Sequence, residues 1–202
     1  MNYLDILNHV SPLVAYAAVF LILFAESGLL VGFFLPGDSL IFPLGLLASQ
    51  GHLSLPLLIL ISAIGAIGGD SLGYFIGRRF GPALFQKGDS ILFKQEYVQK
   101  AHEYFDRYGK LTVIIARFVP IVRTFVPTVA GVARMDYKTF LAFNVIGGSL
   151  WAASLLLLGY YLGKVIPNID RYLLPIIGLI IVASLIAPLK HVLDSIKQQK
   201  SK

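Results

Sequence analysis

The chain has 202 residues, of which 56% are hydrophobic and only 14% charged, and its mean hydropathy is +0.76. A soluble domain of this size would lack the polar surface to cover such a core, so the composition excludes one and predicts an integral membrane protein. The net charge is +6, and all 17 basic residues lie beyond residue 77, Arg78 being the first; this distribution reports membrane topology and argues against a nucleic-acid-binding face.

In chain order, residues 1–12 read as a short interfacial segment ending at Ser11-Pro12. The N-terminus lacks a basic n-region, so no signal peptide is expected. Residues 13–50 are apolar up to Glu26, loosened by Gly28 and Gly32, and broken at Pro36-Gly37. Proline removes a backbone donor and clashes with the preceding turn, which predicts a helical hairpin, with a kinked spanning helix as the alternative. Residues 56–78 are long and apolar enough to span, and carry glycine every fourth position from Gly65 to Gly81, a stripe that lets helices approach closely in lipid. Residues 82–110 are polar, with Tyr97, Ala101, Tyr104, Phe105 and Tyr108 at helical spacing, and predict an amphipathic interfacial helix closed by Gly109. Residues 111–134 hold two prolines and two arginines and are too interrupted to cross as one helix, so a second re-entrant hairpin is expected. Residues 139–163 and 172–190 complete the set as spanning helices.

The two broken units repeat each other. Pro36 and Pro43 in the first correspond to Pro120 and Pro127 in the second, 84 positions on, and Gly73-Tyr74-Phe75-Ile76-Gly77 corresponds to Gly159-Tyr160-Tyr161-Leu162-Gly163, 86 positions on. Similar order at nearly constant offset implies an internal duplication: repeat 1 over about 13–81, a connector over 82–110, repeat 2 over 111–165, and a final helix at 172–190, all in one membrane domain. If 78–110, 134–138 and 190–202 face the cytoplasm, they hold 13 of the 17 basic residues. The first hairpin then opens outward and the second inward. The expected fold is therefore all-α, an inverted repeat with two opposed re-entrant hairpins, about three full spans and an interfacial helix. Its C-terminus is cytoplasmic. Arg78, Arg79, Arg134 and Lys138 read as topology anchors at helix ends.

Five charges fall in the membrane zone: Glu26, Asp38, Asp70, Arg117 and Arg123. A mid-membrane charge opposes insertion by roughly 2.5–3.5 kcal/mol or more, so each is a functional candidate, with ion pairing of Glu26 or Asp38 with Arg117 or Arg123 as the structural reading. Planar guanidinium groups beside broken helix ends, at Pro36-Gly37 and at Pro120 and Pro127, suit an anion inside an apolar wall. An anion with an apolar tail, a polyprenyl phosphate or a phospholipid, is the expected partner. Arg117 and Arg123 would bind it; Glu26 and Asp38, with Asp70 in second rank, would couple protons. The chain has no cysteine and its four histidines are scattered, so neither disulfides nor a metal site is expected. Catalytic and phosphate-loop motifs are absent, and neither enzymatic activity nor a cofactor is expected.

The pattern Glu26, Phe34-x-Pro36-Gly37-Asp38, Gly69-Asp70-x-x-Gly73-Tyr74-x-x-Gly77-Arg78, Arg117-Phe118-x-Pro120-x-x-Arg123, Ala130-Gly131, Phe140, Asn144 and Trp151 resembles that of the DedA family, also called VTT-domain or SNARE-associated Golgi proteins. The resemblance covers roughly 13–165. It implies a bacterial cytoplasmic-membrane protein that translocates lipid: undecaprenyl phosphate in some members, phospholipids in others, with dependence on the proton motive force in several. It also implies that the family's membrane acids and arginines are Glu26, Asp38, Arg117 and Arg123 here. Two further readings stay open, a proton-coupled exchanger of small cations or drugs and a non-transporting membrane-assembly factor. The lipid, the direction of transport and whether the chain forms a homo-oligomer are not written in the sequence.

Overall fold

The computed structural model describes residues 11–28, 37–86, 99, 103 and 105–166, and every regular element among them is helical. Helix α1 is Pro12–Gly28, α2 Gly37–Ser49 and α3 Leu55–Gln86; a 3-10 turn, Gly109–Leu111, leads into the single-turn α4, Thr112–Ile115, and a second 3-10 turn, Ala116–Phe118; α5 is Pro120–Val132 and α6 Tyr137–Val165. The segment expected at 1–12 up to residue 10, most of the amphipathic connector, the helix at 172–190, Pro36 and the side chain of Asp38 lie outside the described residues.

Among the described residues two helices are long and apolar enough to cross a membrane, Leu55–Phe80 within α3 and Tyr137–Val165. At about 1.5 Å per residue both exceed the roughly 30 Å hydrocarbon core. Their outer faces expose Leu60, Ile64 and Phe75 on α3 and Ile146, Leu150 and Leu158 on α6, side chains that are stable against lipid tails and not against water. Helices α2 and α5, with 13 residues each, reach only about 20 Å and cannot span.

Local chemistry sets the boundaries. Pro12 and Pro120 each occupy a first helical position, where a missing N–H leaves nothing unsatisfied. Val119 before Pro120 is extended (φ −117°, ψ 104°), as the ring of the following proline demands. This is the expected break in the second unit. Pro127, expected to break it again, instead lies inside continuous α5. Its missing N–H removes one helical hydrogen bond, and the packing of a buried α5 against α3 outweighs that loss, as packing does for prolines in other membrane helices. Pro43 sits likewise inside α2.

Helix α5 ends on Arg134 at φ 53°, with Met135 N–H donating to the Ala130 carbonyl and Arg134 N–H to the Gly131 carbonyl, both at 3.0 Å. The left-handed conformation strains a residue that carries a Cβ. Arg134→Gly is therefore expected to raise stability by about 1 kcal/mol, read as a higher melting temperature in detergent; an unchanged or lower melting temperature would show that the arginine side chain outweighs the strain. Asp136 then caps α6, accepting from Thr139 N–H at 2.8 Å and Thr139 Oγ1 at 3.0 Å. Those bonds, the backbone one foremost, hold the Asp136 carboxyl below the usual range, so the cap persists at neutral pH and is lost as pH falls through that depressed value.

Helices α3 and α6 pack on each other at the centre, and each takes a short helix from the other half of the chain: α2 lies on α6, α5 lies on α3, and α1 covers α3. The α5–α3 crossing brings backbones into contact at Gly77 and Gly131, where a Cβ would fall on the carbonyls of Thr128 and Tyr74. The α2–α6 crossing repeats this at Gly45 and Gly159, against the carbonyls of Leu156 and Phe42. The predicted stripe on α3 thus serves two neighbours, Gly69 receiving α1 and Gly77 receiving α5.

Among the described residues the interior holds a small apolar cluster around Leu46 and two large ones. One gathers Tyr74, Phe125, Val126, Val129 and Phe140, with Tyr74 stacked on Phe140 at 4.8 Å; the other gathers Leu23, Ile41, Leu58, Ala63, Trp151 and Leu156. Asp70 lies one turn before Tyr74 on α3, and Asn144 one turn after Phe140 on α6. The polar residues are thereby set at the seam between the clusters.

Candidate functional site: two buried ion pairs on one pocket

Arg117 belongs to the 3-10 turn just ahead of the Val119–Pro120 break, and Arg123 to the first turn of α5 just after it. The break aims both side chains into the bundle from one short stretch of chain. Arg117 is 5% exposed, and its Nη2 donates to Asp70 Oδ2 on α3, to Asn144 Oδ1 on α6 at 2.7 Å and to the Ala66 carbonyl at 3.4 Å. Asn144, fully buried, donates its own amide to the Ile67 carbonyl at 3.2 Å, which fixes its oxygen toward the arginine. Gly148 leaves the room: a Cβ there would stand 3.4 Å from the Arg117 Cζ. Arg123 Nη2 donates to Glu26 Oε1 on α1 at 2.8 Å. Beneath both cations lies Trp151, with the Arg117 and Arg123 Cζ atoms 6.0 and 5.2 Å from the ring centre.

Glu26, Ser27, Asp70, Arg117, Arg123 and Thr124 line one small pocket of about 10 Å³. The two arginines and two carboxylates balance in charge, which is the condition for leaving four ionised groups in an apolar wall. Asp70 lies near the midpoint of the Leu55–Phe80 span, so the pocket sits deep in the membrane zone.

Of the residues expected from sequence, Glu26, Asp70, Arg117 and Arg123 converge. Asp38 is at the start of α2, with its side chain outside the described residues, and Gly37 opens that helix. Arg117 was expected to pair with Glu26 or Asp38; in the structure it pairs with Asp70, while any contact of the Asp38 side chain lies outside the described residues. The reason is register: Asp70 lies on the α3 face turned toward α6, between the glycines that admit α1 and α5. Asn144 and Trp151 were not assigned to the site. A polar amide within an apolar span was a readable signal for Asn144. Nothing local singled out Trp151, whose role depends on what lies above its ring.

An all-helical membrane protein with charge-balanced arginine–carboxylate pairs at mid-depth is a defined class, and comparison with known proteins narrows it. The VTT domain matches residues 35–161. The chain is 45% identical over 185 residues to the protein DedA of Escherichia coli K12, covering 88% of this chain and 84% of that one. It is 43% identical over 173 residues to an uncharacterized membrane protein of Mycobacterium leprae, covering 84% and 78%. With the inner membrane protein YqjA of Escherichia coli K12 it shares 38% over 149 residues, covering 74% and 68%. No solved structure matches it. The chain belongs to the DedA family of VTT-domain membrane proteins.

Proposed function

We propose that the protein is a translocase for an anionic lipid, a polyprenyl phosphate or a phospholipid, driven by protons, and that it is a transporter and not an enzyme. The observation that carries this reading is the convergence of Arg117 and Arg123, each on a carboxylate, on one pocket midway along a spanning helix. A phosphate is the ligand whose planar oxygen pairs suit two guanidinium forks, and an apolar tail is what lets its owner reach that depth.

In this reading the anion takes Arg123 from Glu26. The pocket then holds one negative charge more than its cations balance, and proton uptake by a carboxylate restores neutrality where an unbalanced charge is least tolerated. Anion binding and proton uptake are thereby linked; Asp38 and Asp70 are the further proton-carrying candidates. The inverted repeat with two opposed re-entrant hairpins belongs to the same proposal. It is supported by the shortness of α2 and α5, by the break at Val119–Pro120, and by the paired glycine crossings through which each half's short helix packs on the other half's long one. Placement in a bacterial cytoplasmic membrane with a cytoplasmic C-terminus rests on the basic-residue asymmetry and on the inner-membrane relative.

The test is transport of labelled lipid in proteoliposomes. Arg123→Lys keeps the charge and loses the fork, and the rate is expected to fall at least roughly tenfold. Arg79→Lys, exposed at the end of the apolar Leu55–Phe80 span, is expected to be silent. Wild-type rates in both Arg117→Lys and Arg123→Lys would remove the headgroup role. Ion flux without lipid movement would favour the exchanger, and neither activity the assembly factor.

A further inference from the structure

Trp151 is the single tryptophan of the chain, 4% exposed, and both arginines of the site lie over its ring. The two cations are otherwise held differently. Arg117 is fixed by Asp70, Asn144 and the Ala66 carbonyl, groups on the two central helices, whereas Arg123 reaches across to Glu26 on α1. When an anion displaces the carboxylate, a group that stays in contact with the Arg123 guanidinium helps it keep the geometry that the anion needs.

We propose that Trp151 is a positioning residue of the anion site, its indole seating both guanidinium groups so that Arg123 keeps its place when a phosphate oxyanion takes it from Glu26. The proposal rests on the anion-binding reading above. A guanidinium meets an aromatic ring through its face, and its five N–H donors point outward in its own plane. The indole therefore holds the cation without competing for the edge that a phosphate contacts. Burial of the ring keeps water from weakening the attraction, and α6 carries Trp151 seven residues beyond Asn144, on the face already turned to Arg117. Asn144, Gly148 and Trp151 thus form one floor, and the tryptophan is the part of it that extends under the second cation.

The same residue reports on the site, because indole emission responds to a cation held over its face, and no second tryptophan contributes. The purified protein in detergent is titrated with inorganic phosphate and with a short-chain monoalkyl phosphate while Trp151 emission is read. A saturable change with both is expected, at lower concentration for the alkyl phosphate, and an Arg123→Gln variant should need at least about tenfold more ligand. In proteoliposomes, Trp151→Leu is expected to raise KM for the lipid roughly tenfold with kcat little changed, and Trp151→Phe, which keeps an aromatic face, to restore most of it. A folded Trp151→Leu protein with wild-type KM overturns the proposal. Should Trp151→Leu fail to fold, the titration and Trp151→Phe decide: emission that stays constant at alkyl phosphate concentrations that inhibit lipid transport overturns it equally. If emission responds through Arg123 while no lipid moves, the seat stands and the translocase reading falls.

Discussion

Arg117→Ala is expected to destabilise the folded protein by about 3–5 kcal/mol and to abolish transport, because it leaves the Asp70 carboxylate buried without its cation. Arg117 and Asp70 are 5% and 6% exposed, so water cannot replace the lost partner. The double variant Arg117→Met/Asp70→Asn separates structure from function. With both charges removed, the burial penalty disappears along with the attraction, and replacement of a buried pair by uncharged groups is often neutral or stabilising. Its melting temperature in detergent is expected to return close to wild type while lipid transport stays absent. A double variant as unstable as the single one would show that Arg117 matters through Asn144 and the Ala66 carbonyl and not through the ion pair.

The second large effect is expected at the crossing of α3 and α5. A Cβ at Gly77 or Gly131 would occupy the space of a backbone carbonyl on the facing helix, and no rotamer change relieves a clash with backbone. Gly77→Ala and Gly131→Ala should each destabilise by about 3 kcal/mol, the upper part of the usual overpacking range, and leucine at either position should prevent assembly. Gly68→Ala is the control: the atoms nearest its Cβ are the Phe24 ring edge at 3.3 and 3.4 Å, which can give way. Melting of Gly131→Ala within about 1 kcal/mol of wild type would mean that the two helices separate without loss, against their close packing. Because α5 also carries Arg123, a forced separation should reduce transport even where the protein still inserts.

Much of the site was legible in the residues themselves. Glu26, Asp70, Arg117 and Arg123 stood out because a charge in an apolar run is rare and opposed by the membrane. The break before Pro120 followed from the geometry that proline imposes on its own backbone and on its predecessor. Pro127 was misread for the complementary reason: whether an internal proline ends a helix depends on the packing around it, which a local rule does not contain. The glycine stripe announced close approach on α3, but not that one half would receive α1 and the other α5.

Composition and the placement of charge determined by themselves that the chain is a helical membrane protein, that it is long and apolar enough to cross along 55–80 and 137–165, and which charges stand in its apolar segments. These properties are local or additive: hydrophobic length against bilayer thickness, and the penalty of each charge in lipid, do not depend on which segment neighbours which. The tertiary structure alone decided the pairing. Asp70 pairs with Arg117, Glu26 with Arg123, Asn144 orients the first pair, and Trp151 underlies both. Glu26 and Arg123 are 97 residues apart in the chain, and Asp70 and Arg117 are 47 apart. Such contacts are set by helix rotation and crossing geometry, in which a shift of one residue turns a side chain about 100° away from its partner.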